Sequence, residues 1–130
     1  MIDTRWRQLA SILVRHSTAV QPGDRVLITM LEKHTLPLVR AVHGEVVRAG
    51  GLPQIEFQSA ALERDLLLHG TDEQIGWVPE WQNYGMEWAD VYIGLRGAAN
   101  PHILDDIPPE RIAARRRAMG IVSTHRTTHT

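Results

Sequence analysis

The 130-residue sequence predicts an α/β domain of three layers, with a mainly parallel sheet flanked by helices on both faces. Three observations predict it. Runs of β-forming residues recur at Arg25 to Thr29, Pro53 to Phe57 and Asp90 to Leu95, the first apolar and β-branched without clean alternation, as in a strand covered on both faces. Stretches with helically spaced apolar residues separate them, and glycine or proline marks the joints. Strand, helix and strand joined this closely form the crossover unit of a parallel sheet.

Asp3 is placed to cap a helix running from near Thr4 to about His16. Trp6, Leu9, Ala10, Leu13 and Val14 share one face of it, while Arg5, Arg7, Gln8 and Arg15 point away. The stretch "QPGD" then reverses the chain, because Pro22 fixes φ and Gly23 permits a positive one. After the strand and the connector "MLEKHT", Pro37 suits the first turn of a second helix. Leu38, Val39, Val42, Val46 and Ala49 are its apolar stripe, and Gly50 with Gly51 ends it. The segment "AALERDLLLHG" reads as a helix with Leu62, Leu66 and His69 inward and Gly70 as its stop. Thr71 and Gln74 have capping-box spacing for a short helix. Another helix is expected from Glu80 to Glu87, weakened at Gly85. After the third strand and an irregular "AANPHILDD", Pro109 opens a helix through "IPPERIAARRRAM". The remaining "GIVSTHRTTHT" is expected to begin another strand and then lose its pattern. Residues 1–120 thus form the α/β domain, and 121–130 a connection or tail.

Fourteen basic against fifteen acidic residues give a net charge of −1, so nothing electrostatic favours a nucleic-acid or anionic-membrane partner. Cysteine is absent, which removes disulfides, thiolate metal sites and cysteine nucleophiles and suits a reducing, cytoplasmic setting. The opening "MIDTRWRQLASILVRH" lacks the basic start and apolar run of a secretory signal. Charged residues or histidine interrupt every apolar stretch before the ~20 residues needed to span a bilayer.

The strand-to-helix joints carry neither G-x-G-x-x-G nor G-x-x-x-x-G-K-[ST], so the layout is Rossmann-like without a dinucleotide fingerprint. Seven histidines are scattered along the chain; only His125 and His129 have helical i, i+4 spacing, without the carboxylate base of H-E-x-x-H. Ser11, Ser17, Ser59 and Ser123 stand in no G-x-S-x-G elbow. Asp72 with Glu73, and Asp105 with Asp106, lie ahead of or within helix starts, where the dipole favours negative charge. Arg111, Arg115, Arg116 and Arg117 concentrate charge on one helix, most simply as a solvated face and alternatively as a contact for an acidic partner. Trp77, Trp81, Tyr84 and Trp88, spaced by 4, 3 and 4, share one helical face; core packing is the default, and they are also the candidate interface residues. Arg96, Asn100 and His102 follow the third strand, at the edge where open parallel sheets bind ligands, and form a candidate strand-end cleft. No base, nucleophile and orienting group occur together. No catalytic, cofactor-binding or metal-ligating residue is assigned.

Three stretches in order, "LASILVRHSTAVQPGDRVLI", "PLVRAVHGEVVRAGGLPQIEF" and "WADVYIGLRGAANPHILDDIPPERIAARRRA", resemble the N-terminal part of the aminopeptidase T and aminopeptidase S type of metallo-aminopeptidase, the thermophilic type of leucyl aminopeptidase. The resemblance extends to about Ala118. It implies an α/β N-terminal domain, a separate catalytic domain carrying two divalent metal ions (zinc, cobalt or manganese), a homodimer, and removal of N-terminal amino acids from peptides. No position in this sequence matches the family's metal-ligand motifs, so none is carried over. The resulting expectation is a non-catalytic N-terminal domain, inactive alone; the alternative is a stand-alone small-molecule-binding or assembly domain.

Overall fold

The computed structural model describes residues 4–97 and 100–129, with side chains as far as Val122. Helix α1 (Thr4–Ser11) runs into a wider π turn over Ile12–Ser17. That turn widens because the Thr18 amide and hydroxyl both donate to the Leu13 carbonyl, at 3.1 and 2.8 Å. Strand β1 (Arg25–Leu31) is followed by α2 (Leu36–Arg48), β2 (Leu52–Gln58), α3 (Ala60–His69), α4 (Asp72–Gly76), α5 (Glu80–Trp88), β3 (Val91–Arg96) and α6 (Pro109–His129). The sheet order is β2-β1-β3, and both pairings are parallel.

The strands expected from sequence are present, each slightly longer or shifted by a residue. β1 is central, and its two rows of side chains are buried against different helices. Val26, Ile28 and Met30 join Ile93 and Leu95 beneath Ala10, Val14, Val39, Val42 and Val46 of the α1 and α2 layer. On the opposite face Leu27 packs with Met86 of α5 and Val122 of α6. A third cluster, Leu67, Ile75 and Ile107, ties α3 and α4 to the segment leading into α6.

The "QPGD" turn and the glycine stop of α2 support one another. Gly23 and Gly50 both have φ of +85°, a region L side chains rarely adopt. The Gly23 amide donates to the Gly50 carbonyl at 2.9 Å, and a Cβ on Gly50 would press on Pro22 at 3.1 Å.

Several expectations are corrected. In α3 the buried residue is Leu67, while Leu62 is 59% exposed and His69 also faces solvent. The inward face is set by Ile75 and Ile107, which meet Leu67. No strand begins at Gly120; α6 continues through His129, with Val122 buried against Leu27. Asp106, just ahead of α6, has a further partner that its sequence position did not suggest. Its carboxylate takes a two-pronged bond from Arg64, at 2.5 and 2.7 Å, which holds it well below the ordinary range, at about 2. The arginines of α6 are not all solvated: Arg111 donates to the Leu67 and Gly70 carbonyls at 2.9 Å each, and Arg115 pairs with Glu63 at 2.8 Å. The Asp3 cap lies outside the described residues, and the His125 and His129 pair outside the described side chains.

Candidate functional site

All three strands end on one side of the domain, where the chain leaves β1 toward β2 on one flank and β3 lies on the other. That reversal of direction opens a crevice at the carboxyl ends of the strands, where α/β sheets bind ligands. A cleft of about 550 Å³ occupies this position, with Leu31, Gln58 and Arg96 from the strand ends on its wall.

Glu32, immediately after β1, has φ 72° and ψ 146°, a conformation costly for a residue with a side chain. Its surroundings hold it there. Its amide donates to the Gln58 carbonyl at 2.8 Å, extending the β1–β2 ladder by one residue. Its carboxylate accepts the Ala60 amide at 2.6 Å, where negative charge meets the N-terminus of α3. Its carbonyl accepts the Thr35 amide and hydroxyl, at 3.2 and 2.8 Å. The following turn sets the His34 ring directly against Gly97 at the end of β3, where any side chain would collide with the imidazole.

Arg115 and Glu63 line the far wall as a closed ion pair. Arg96 lines the same cleft, is exposed, and its guanidinium makes no hydrogen bond or ion pair among the described residues. Deeper in the same layer, burial raises the Glu56 carboxyl above its ordinary value, against the bonds it accepts from Gln58 and Gln82. Gln82 Oε1 and the hydroxyl of Thr29, which stands beside Glu56 in the sheet, are buried without a partner.

Of the three residues expected in the cleft, the structure places only Arg96 there. Asn100 is engaged locally, its side-chain oxygen accepting the His102 amide at 3.0 Å. The His102 ring contacts Asp105 at 2.8 Å on an exposed loop. Ser59 is committed to capping α3, accepting the Ala61 amide at 3.2 Å. Sequence reading missed Glu32, His34 and Glu63; the only trace of the first two was the polar connector "MLEKHT". This arrangement can bind a ligand, but it assembles no attacking group with a base beside it.

The four aromatics also separate. Trp81, Tyr84 and Trp88 line a groove of about 580 Å³ between α5 and β2, whereas Trp77, before α5, lines another cavity with Asp65, His69 and Glu73. Core packing fails for most of them: Trp81 is 88% exposed, Tyr84 66% and Trp77 54%.

Among the described residues no three histidine, aspartate or glutamate side chains gather so as to hold a metal ion. The described residues therefore offer no group that fits the metal pair implied by the sequence resemblance. No described helix is long and apolar enough to cross a membrane.

A parallel α/β domain with an open cleft at its strand ends is the class this geometry defines. A family model described as thermophilic metalloprotease (M29) matches residues 2–130, and the chain belongs to that family. The solved structure of wild-type AmpT from Thermus thermophilus superposes with a TM-score of 0.81 at 20% sequence identity. The match covers 97% of this chain and 32% of AmpT, so the chain spans about a third of that structure. No curated protein sequence matches the chain.

Proposed function

We propose that these residues form the N-terminal, non-catalytic scaffold of a metal-dependent aminopeptidase that removes N-terminal amino acids from peptides. In this reading the domain, residues 1–120, builds one wall of the peptide-binding cavity and supplies domain or dimer contacts in a cytoplasmic homodimer. Residues 121–130 lead toward the part that carries the two divalent ions, zinc, cobalt or manganese. The observation that carries the reading is membership of the M29 family over residues 2–130 in a chain whose described side chains offer no metal-holding group. The purified 130-residue chain is therefore expected to release no amino acid from a leucine anilide with added zinc, cobalt or manganese. Robust turnover would overturn the proposal.

A stand-alone binding or assembly domain is the second reading. The strand-end cleft favours it, because the strained Glu32 and the unpaired Arg96 border a space that fits a small ligand. The DNA following the Thr130 codon separates the two. A continuing frame with glutamate- and histidine-containing motifs supports the aminopeptidase, and a stop supports the stand-alone domain.

A further inference from the structure

The β2 side of the molecule carries an open sheet edge next to an aromatic groove. β2 pairs with β1 alone among the described strands, so half of its backbone groups lack a strand partner. Which half follows from the bonds at its two ends. The Leu52 amide donates to the Asp24 carbonyl at 2.7 Å, and the Gln58 carbonyl accepts the Glu32 amide at 2.8 Å, so residues 52 and 58 direct their backbone groups toward β1. Backbone direction alternates along a strand. Ile55 and Phe57 therefore present both N–H and C=O outward, and Pro53 presents only C=O. Proline at the start of the strand closes the edge there and leaves the second half open to pairing.

The groove beside this edge has its own chemistry. Gln54 stands opposite Leu27 in the register, which puts Gln54 and Glu56 on the α5 face of the sheet. Together with Trp81, Tyr84 and Trp88, they face a groove whose charged lining residues are Glu56 and Glu80, with no basic residue among them. Aromatic faces and carboxylates together attract a cation. One of these rings already has such a neighbour: the Arg25 guanidinium lies 6.0 Å from the centre of the Trp88 ring. Trp81 and Tyr84 stand largely in solvent.

We propose that this edge and groove bind an extended peptide segment bearing a guanidinium or ammonium side chain. The segment's backbone adds to β2 through Ile55 and Phe57, the mode by which exposed sheet edges take up strands. Its alternate side chains reach the α5 face, where the cation lies against Trp81 and Tyr84 between Glu56 and Glu80. The occupant is thus a basic β-strand rather than a helix or an acidic segment. The proposal does not depend on the aminopeptidase reading.

The test titrates the purified chain with an acetylated, amidated five-residue peptide alternating valine and arginine. The controls are its valine–glutamate counterpart and a backbone N-methylated arginine version. Tryptophan fluorescence reads affinity, and backbone amide NMR reads location. The arginine peptide is expected to bind about tenfold or more tightly than the glutamate peptide, with shifts at Ile55, Phe57 and Trp81. N-methylation should abolish binding, and Trp81→Ala or Glu56→Gln with Glu80→Gln should weaken it about tenfold. Trp81 and Glu80 are exposed, so Trp81→Ala and Glu80→Gln test binding rather than folding, and thermal unfolding of the Glu56→Gln variant checks that its half-buried site still folds. Equal binding of the arginine and glutamate peptides overturns the proposal. So does undiminished binding after N-methylation, or shifts confined to the cavity around His69 and Trp77. Self-association through β2 that no peptide displaces also overturns it and makes a second copy the occupant.

Discussion

Replacing Thr71 with alanine tests how a five-residue helix keeps its place. The α4 capping box is complete: the Thr71 hydroxyl accepts the Gln74 amide at 3.2 Å, and Gln74 Oε1 accepts the Thr71 amide at 2.9 Å. A helix this short has no stability of its own, so the cap and its packing must hold it. The packing comes from Ile75, 1% exposed, against Leu67 and Ile107. Losing the cap alone costs about 1 kcal/mol. If α4 also unravelled and Ile75 left its pocket, the loss would approach ~3 kcal/mol. The cluster around Ile75 also involves residues from α3 and the segment entering α6, so the smaller figure is expected. With an unfolding entropy of about 2.1 cal/mol/K per residue, 1 kcal/mol corresponds to a fall in melting temperature of roughly 4 °C for a domain of this length. Thermal unfolding followed by far-ultraviolet circular dichroism should show that fall for Thr71→Ala and almost none for Thr71→Ser. Gln74→Ala should also lower the melting temperature, and the double variant should lose less than the sum, because the two bonds share one turn. A melting temperature unchanged in Thr71→Ala, or lowered equally by Thr71→Ser, would refute the reasoning.

Two further outcomes can be measured on the same chain. Gly120 lies inside α6, and a Cβ there meets nothing within 4 Å, so Gly120→Ala should stabilise by about 1 kcal/mol through helix propensity alone. A lower denaturant midpoint for that variant would contradict the open space around it. The Arg64–Asp106 pair gives a pH window: Asp106 is depressed from 3.8 to about 2 by the Arg64 hydrogen bonds. Its contribution is therefore present above 3.8 and lost as pH falls toward 2. Between those values wild type should lose stability that Asp106→Asn, lacking the charge, does not lose; parallel acid profiles would discard the pair as a stabilising contact.

Much of the fold was legible because its signals are local. Pro37 suits only the opening turn of α2, Gly23 and Gly50 supply the positive φ their turns require, and Thr71 with Gln74 announces a cap that forms as expected. Helix phase was less legible. The run of leucines in α3 allows more than one apolar face, and contacts from Ile75 and Ile107 choose Leu67. The strand expected after Gly120 is instead a continuation of α6, whose Val122 is buried against Leu27 of the sheet. The cleft was half legible. Arg96 follows from strand-end position, but nothing near Glu32 in sequence marks it for a strained conformation, because its partners are Gln58 and Ala60 in other elements.

The sequence by itself determined the parallel α/β class, the family, the strand boundaries within a few residues, and the turns that glycine and proline impose. These depend on backbone preference and apolar spacing between near neighbours. Only the tertiary structure decided that Trp81 and Tyr84 face solvent beside an open strand edge, that Arg115 closes on Glu63, and that His34 rests on Gly97. Each of these joins residues from separate elements, and such a meeting depends on how the layers stack.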